Sequence, residues 1–154
     1  MASAWRIVLA SEAIHAFSGE GPRRYGGRWN SPGTALVYVS EHQSTAALEV
    51  IAHNLPLSAG IEYKAFRLEW PDGFTEVLPK GRLPANWRIS PPALETMEIG
   101  DLWVREKRSP ILAVPSAISP DDRNFLMNPG HSDFKRIRIA RPIDYAFDAR
   151  LLGR

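Results

Sequence analysis

The chain has 154 residues, 44% of them hydrophobic, which suits one core and is too little for two, so a single domain over residues 1–154 is expected. It contains no cysteine, which excludes disulfides and thiolate chemistry and fits a reducing, cytoplasmic setting. It also opens on no leader-like segment and carries no apolar run of membrane-spanning length. A formal charge of +2, with acidic and basic residues nearly balanced, leaves no strong footprint for direct nucleic-acid binding.

In chain order, residues 4–10 and 35–40 are rich in β-branched and aromatic side chains and predict two strands. Between them, Gly19 to Gly33 holds five of the eleven glycines and carries Gly27, Arg28, Trp29 and Asn30. A forked permanent cation beside a large aromatic, on backbone that permits close approach, suits a ligand bearing phosphate and a ring. An exposed turn with a solvated Arg and a core Trp explains the same residues.

Ser40 and Gln43 have the spacing of a capping box, and residues 45–55 set Ala47, Leu48, Val50, Ile51 and Leu55 on one side of a helix. Glu49 then falls on the polar side among Thr45, Ala46, Ala52 and His53, whose small members leave room for a ligand. A solvated carboxylate pairing weakly with His53 is the plain alternative. Tyr38 lies mid-strand, where an aromatic with a polar tip serves either a core or a ligand.

Residues 62–70 alternate as a third strand, closed by the turn signal Pro71, Asp72, Gly73. Residues 79–92 resist assignment, and residues 93–107 read as a helix weakened by Gly100. Short strands follow at 111–114 and 124–127, and Ile137 and Ile139 alternate with Arg136 and Arg138 as a last strand over 135–139. Ser116, at a strand end, either contacts a ligand or starts a turn. Short, mostly antiparallel strands with a few helices and no βαβ alternation make the class α+β. His15, His42, His53 and His131 lack a ligand spacing, so no metal is expected. There is no P-loop, nucleophile elbow or dinucleotide fingerprint.

Arg6, the segment Gly27 to Asn30 with Gly33, Tyr38, residues 44–49, the run Val114, Pro115, Ser116, then Asn124, Asn128 with Pro129, and Phe147 to Leu151 occur in an order that resembles the RES domain family. That family is the toxin component of RES-Xre toxin–antitoxin modules, and its Arg-Glu-Ser signature falls on Arg28, Glu49 and Ser116. The resemblance implies a fold similar to that of the ADP-ribosyltransferases, with two small sheets flanking a cleft. It implies NAD as substrate, no bound cofactor, and cleavage of the nicotinamide–ribose bond that depletes NAD by phosphorolysis or hydrolysis. Mono-ADP-ribosylation of a cellular protein is the alternative. Glu49 and Arg28 are then the expected catalytic residues, and Arg6, Arg28, Tyr38 and Ser116 the expected NAD contacts. The expected partner is an Xre-type helix-turn-helix antitoxin, with Trp87, Trp103 and Phe134 as candidate contacts.

Other classes make different demands. A nucleic-acid binder would use the basic clusters at residues 23–24, 105–108 and 135–138 and stack bases on Trp29, Trp70, Trp87 or Trp103. A ribonuclease would pair Glu49 with His53 or His42 as acid and base. A purely structural interaction module would need neither Arg28 nor Glu49.

Overall fold

The computed structural model describes residues 1–53 and 55–152. The β-rich segments form β1 (Ala2–Leu9), β2 (Val37–Ser40), β3 (Tyr63–Trp70), β4 (Thr75–Val77), β5 (Ile111–Pro115), β6 (Arg123–Met127), β7 (Arg138–Ile139) and β8 (Ile143–Tyr145). The helices are α1 (Glu20–Tyr25), α2 (Gln43–Ala52) and α3 (Leu94–Glu106), so the class is α+β. The strands form one sheet in the order β4-β5-β6-β2-β1-β3-β7, with β8 also on β3. Among the described residues, only the β4–β5 pair is parallel.

The two small sheets expected from the sequence are the halves of this one sheet. β1 pairs with β3 from Ala2↔Trp70 to Leu9↔Tyr63, but meets β2 only at Trp5↔Ser40. The pleat sorts the core to match. One face carries Ala4, Val8, Phe66, Leu68, Trp70, Val37, Val39, Ile111, Phe125 and Met127 in a continuous core. On the opposite face the core is divided. Ala46, Ala47 and Val50 of α2 cover Ile7, Tyr63 and Ala65, while Trp103 of α3 and Trp29 cover Leu36, Leu112, Val114 and Leu126. A valley therefore runs along the seam between α2 and α3.

Several expectations change at residue level. Ser40 does not cap α2: His42 is the N-cap residue, without a side-chain bond, and the Ser40 hydroxyl donates to Asn124. Leu48 turns outward, because α2 lies on its small residues Thr45, Ala46 and Ala47. Residues 135–139 are not one strand. The N–H groups of Arg136 and Ile137 close a 3-10 turn onto Asp133 and Phe134, so pairing begins only at Arg138. Gly100 proves to be a contact position, since a Cβ there would stand 1.6 Å from the Trp29 carbonyl oxygen. Trp29, Trp70 and Trp103 are all buried in the cores, which removes them as base-stacking platforms and removes Trp103 as a partner contact. Among the described residues, no helix is long and apolar enough to cross a membrane.

Candidate active site

The Arg28 loop is held at both ends. After α1 the chain turns through Gly26 at a φ of 74°, and Gly27 and Asn30 then exchange backbone bonds of 2.9 and 3.4 Å. The Tyr38 hydroxyl is the hub. It accepts the Trp29 N–H at 3.0 Å and donates to Asn30 Oδ1 at 2.6 Å, while Asn30 Nδ2 donates to the carbonyls of Pro22 and Thr34. Burial, the leading cause, pushes the Tyr38 phenol well above its ordinary value, so it stays a neutral donor. Only glycine fits at position 27, where a Cβ would lie 2.7 Å from that hydroxyl. At the far end Asp101 of α3 accepts from both the N–H and the hydroxyl of Ser31.

Arg28 projects from this braced loop. Its Nη1 donates to the carbonyls of Trp87 at 2.9 Å and Ile89 at 2.8 Å. The Nε–Nη2 edge, the pair of donors that grips a carboxylate or phosphate, has no protein acceptor among the described residues. Burial lowers the Arg28 pKa, against the field of Glu49, which raises it.

Glu49, on α2, is half-buried at the other side of the valley. Its Oε1 accepts from Asn124 Nδ2 at 2.9 Å, and Asn124 Oδ1 accepts from Ser40 Oγ at 2.8 Å. Ser40 and Asn124 are paired directly across β2 and β6, so the sheet itself aims the carboxylate. His53 Nδ1 is 2.7 Å from the Glu49 carbonyl oxygen and 4.0 Å from Oε2.

Ser116 is fully buried just beyond β5, and its hydroxyl accepts the N–H groups of Ile118 at 3.2 Å and Ser119 at 3.1 Å. It therefore caps the turn that follows β5. Asp122 ties that turn to α2 by accepting from Ser119 at 2.8 Å and Thr45 at 3.3 Å. Arg88 ties it to residues 84–90 by donating from Nε to the Ala117 carbonyl at 3.0 Å.

The structure thus gathers Arg28, Tyr38, Glu49 and the Ser116 turn around one valley and sets Arg6 apart. Arg6 neighbours Trp5, whose partner Ser40 shares a face with Tyr38, so Arg6 projects from the reverse face. There it donates from Nε to Ala16 and from Nη1 to the Tyr38 carbonyl, each at 2.7 Å, and desolvation lowers its pKa to about 10. It supplies across the seam a bond that the one-pair ladder omits, which gives it a bracing role in place of the ligand contact expected from the sequence. Sequence reasoning missed Ser40, Arg88 and Asp101 as site residues and gave Asn124 no role. The available signal was two uncharged polar side chains, Ser40 and Asn124, in strands whose other residues, Arg123 apart, are built for the core. Two cavities, of about 420 and 150 Å³, flank Gly60 and Ile61 and include neither Arg28 nor Glu49.

A carboxylate fixed by the sheet, near a guanidinium with an open donor edge, can hold a substrate that carries phosphate while positive charge develops beside the carboxylate. The chain is similar to several known proteins. It is 36% identical over 148 residues to "Toxin Res" of Yersinia enterocolitica, covering 96% of this chain and 97% of that protein. It is 33% identical over 159 residues to "Prs ADP-ribosylating toxin" of a Sphingobium species, covering 97% and 96%. Its fold is similar to a chain in the crystal structure of the M. tuberculosis MbcT–MbcA toxin–antitoxin complex, with a TM-score of 0.74 at 16% identity, covering 94% of this chain and 84% of that one. The RES domain pattern matches residues 3–148, and the chain belongs to the RES domain family.

Proposed function

We propose that the protein is a toxin that cleaves NAD at the nicotinamide–ribose bond, and that NAD is its substrate, with no bound cofactor. The observation that carries the reading is the Glu49 carboxylate, fixed by Asn124 and Ser40 and close enough for its field to act on Arg28, whose Nε–Nη2 edge is open.

When the glycosidic bond breaks, its electron pair leaves with nicotinamide and the ribose carbon becomes oxocarbenium-like. A carboxylate beside that carbon stabilises charge that exists only in the transition state. Glu49 takes this role, and Arg28 holds substrate phosphate through its Nε–Nη2 edge. Tyr38 holds the Arg28 loop through its hydroxyl and offers its ring face to the nicotinamide. Ser116 acts through the turn it caps. Phosphate as acceptor gives phosphorolysis, water gives hydrolysis, and either depletes NAD. A protein acceptor gives ADP-ribosylation, a second reading favoured by the name of the Sphingobium relative. The toxin–antitoxin complex with a similar fold supports an Xre-type antitoxin as the partner.

The test is NAD turnover by the purified protein with and without inorganic phosphate, with products identified by mass. Loss of NAD that Glu49→Ala and Arg28→Ala each reduce by about a hundredfold or more supports the reading. Intact NAD with folded wild-type protein would sink depletion, and labelled ADP-ribose appearing on a protein target would then support the second reading.

A further inference from the structure

We propose that Arg88 and Arg28 form one phosphate-binding pair, in which Arg88 is the second cation. The two residues lie far apart in sequence, yet Arg28 Nη1 donates to the carbonyls on either side of Arg88, those of Trp87 and Ile89. Arg88 in turn donates only its Nε, to the Ala117 carbonyl beside Ser116, and its guanidinium lies 5.9 Å from the centre of the Trp87 ring. Both Nη groups of Arg88, like the Nε–Nη2 edge of Arg28, have no protein acceptor among the described residues.

The choice of anchors matters. A carbonyl orients a guanidinium without neutralising it, whereas a carboxylate does both. Arg23, Arg67, Arg108, Arg123, Arg136 and Arg150 are each paired with a carboxylate, whereas Arg28 and Arg88, like Arg6 on the reverse face, donate to backbone carbonyls alone among the described residues. Two cations held close by carbonyls repel one another, and the field of Arg88 opposes the charge on Arg28. The field of Glu49, whose carboxylate is fixed by the neutral Asn124 amide, favours the charge on Arg28 and opposes the effect of Arg88 there. An arrangement that repels itself when empty and keeps its donors open is matched by a compact anion with several oxygens.

A phosphate group has that chemistry. Its source is either the pyrophosphate of the dinucleotide or inorganic phosphate serving as acceptor, and this choice of source rests on the NAD reading. The pairing itself does not, so it is tested by direct binding.

Calorimetry would measure the affinity of the full chain for inorganic pyrophosphate and for orthophosphate in wild type, Arg88→Ala, Arg88→Gln and Arg138→Ala. Arg88→Gln keeps a donor for the Ala117 carbonyl and loses only the charge, which guards against a loss caused by misfolding. Both Arg88 variants are expected to weaken anion binding about tenfold to a hundredfold, and Arg138→Ala, on the exposed β7, to leave it unchanged. Anion affinity within about twofold of wild type in Arg88→Gln, or no binding by wild type, overturns the proposal. Steady-state kinetics on the same proteins assign the source. A raised KM for NAD marks the pyrophosphate, and a raised KM for phosphate alone marks the acceptor. Wild-type protein that binds pyrophosphate through Arg88 yet leaves NAD intact upholds the pair and sinks the NAD reading. NAD turnover with both KM values unchanged in Arg88→Gln sinks the pair and leaves that reading standing.

Discussion

Asn124 donates from Nδ2 to Glu49 Oε1 at 2.9 Å while its own carbonyl oxygen accepts from Ser40, so one amide fixes the direction of the carboxylate from the sheet floor. The orientation of that amide is set by its two partners, since only the nitrogen can donate to Glu49 and only the oxygen can accept from Ser40. Asn124→Ala frees the carboxylate to swing. The expected result is a loss of about a hundredfold in kcat for NAD cleavage, with a folded protein of near-native melting temperature. Ser40→Ala, one step removed, should lose less, and equal losses from the two variants would contradict the order of the relay.

The Tyr38 hydroxyl satisfies Trp29 N–H and Asn30 Oδ1 together. Tyr38→Phe keeps the ring and strands both partners, so it should destabilise the protein by about 1–3 kcal/mol in urea titrations. Activity should fall with it, because the same hydroxyl braces the loop that carries Arg28. A Tyr38→Phe protein with wild-type stability would show that the loop does not depend on that hydroxyl.

Gly100 offers a test in which two effects predict opposite signs. Helix propensity favours alanine over glycine by about 1 kcal/mol inside a helix. A Cβ at position 100, however, would lie 1.6 Å from the Trp29 carbonyl oxygen, and backbone cannot move aside as a side-chain tip can. Gly100→Ala is therefore expected to be destabilising, by about 3 kcal/mol or more in thermal unfolding, with loss of anion binding as the Arg28 loop shifts.

Glu41 accepts from Arg123 at 2.7 Å, and that hydrogen bond, its leading cause, holds the carboxyl below the ordinary carboxylate range. A depressed folded-state pKa stabilises the fold at pH values above the unfolded carboxylate pKa, and the contribution is lost as pH falls through the folded one. Glu41→Gln should therefore lower the melting temperature slightly near neutral pH and converge with wild type in acid. The pair is exposed, so the neutral-pH difference should stay within about 1 kcal/mol.

Much of the fold was legible from side-chain pattern. β1, β2, β3, β5, β6, α2 and α3 lie within a few residues of where β-branched content or helical spacing put them, because each buries a regular face. β4 and β8 are three-residue strands with no fully buried residue, and α1 carries one glycine and one proline in six residues, so none has a periodicity to read. The alternation at Ile137 and Ile139 correctly marked inward positions, but a turn onto Asp133 and Phe134 claimed the backbone first.

The site was legible only in part. Arg28 and Glu49 stood out through the resemblance to the RES domain family. Ser116, which matches the same signature, is a buried turn cap, and Arg6 looks away. The partners that aim Glu49 meet it across a pairing between residues 40 and 124, a contact no local spacing encodes. Gly100 read as a weak helix position because what it touches, Trp29, is distant in sequence.

The seam at Trp5↔Ser40 gives the valley a mechanical property. Glu49 rides with α2 on the β1 half of the sheet, and Arg28 rides with the α3 core on the β2 half. A ligand held by both therefore works as a clasp on the face where the core is divided, adding to the rung, the Arg6 strut, the Asn124 and Asp122 links and the continuous core of the reverse face. Occupancy of the site and cohesion of the fold are coupled, so a partner that pried the halves apart would empty the site without touching it.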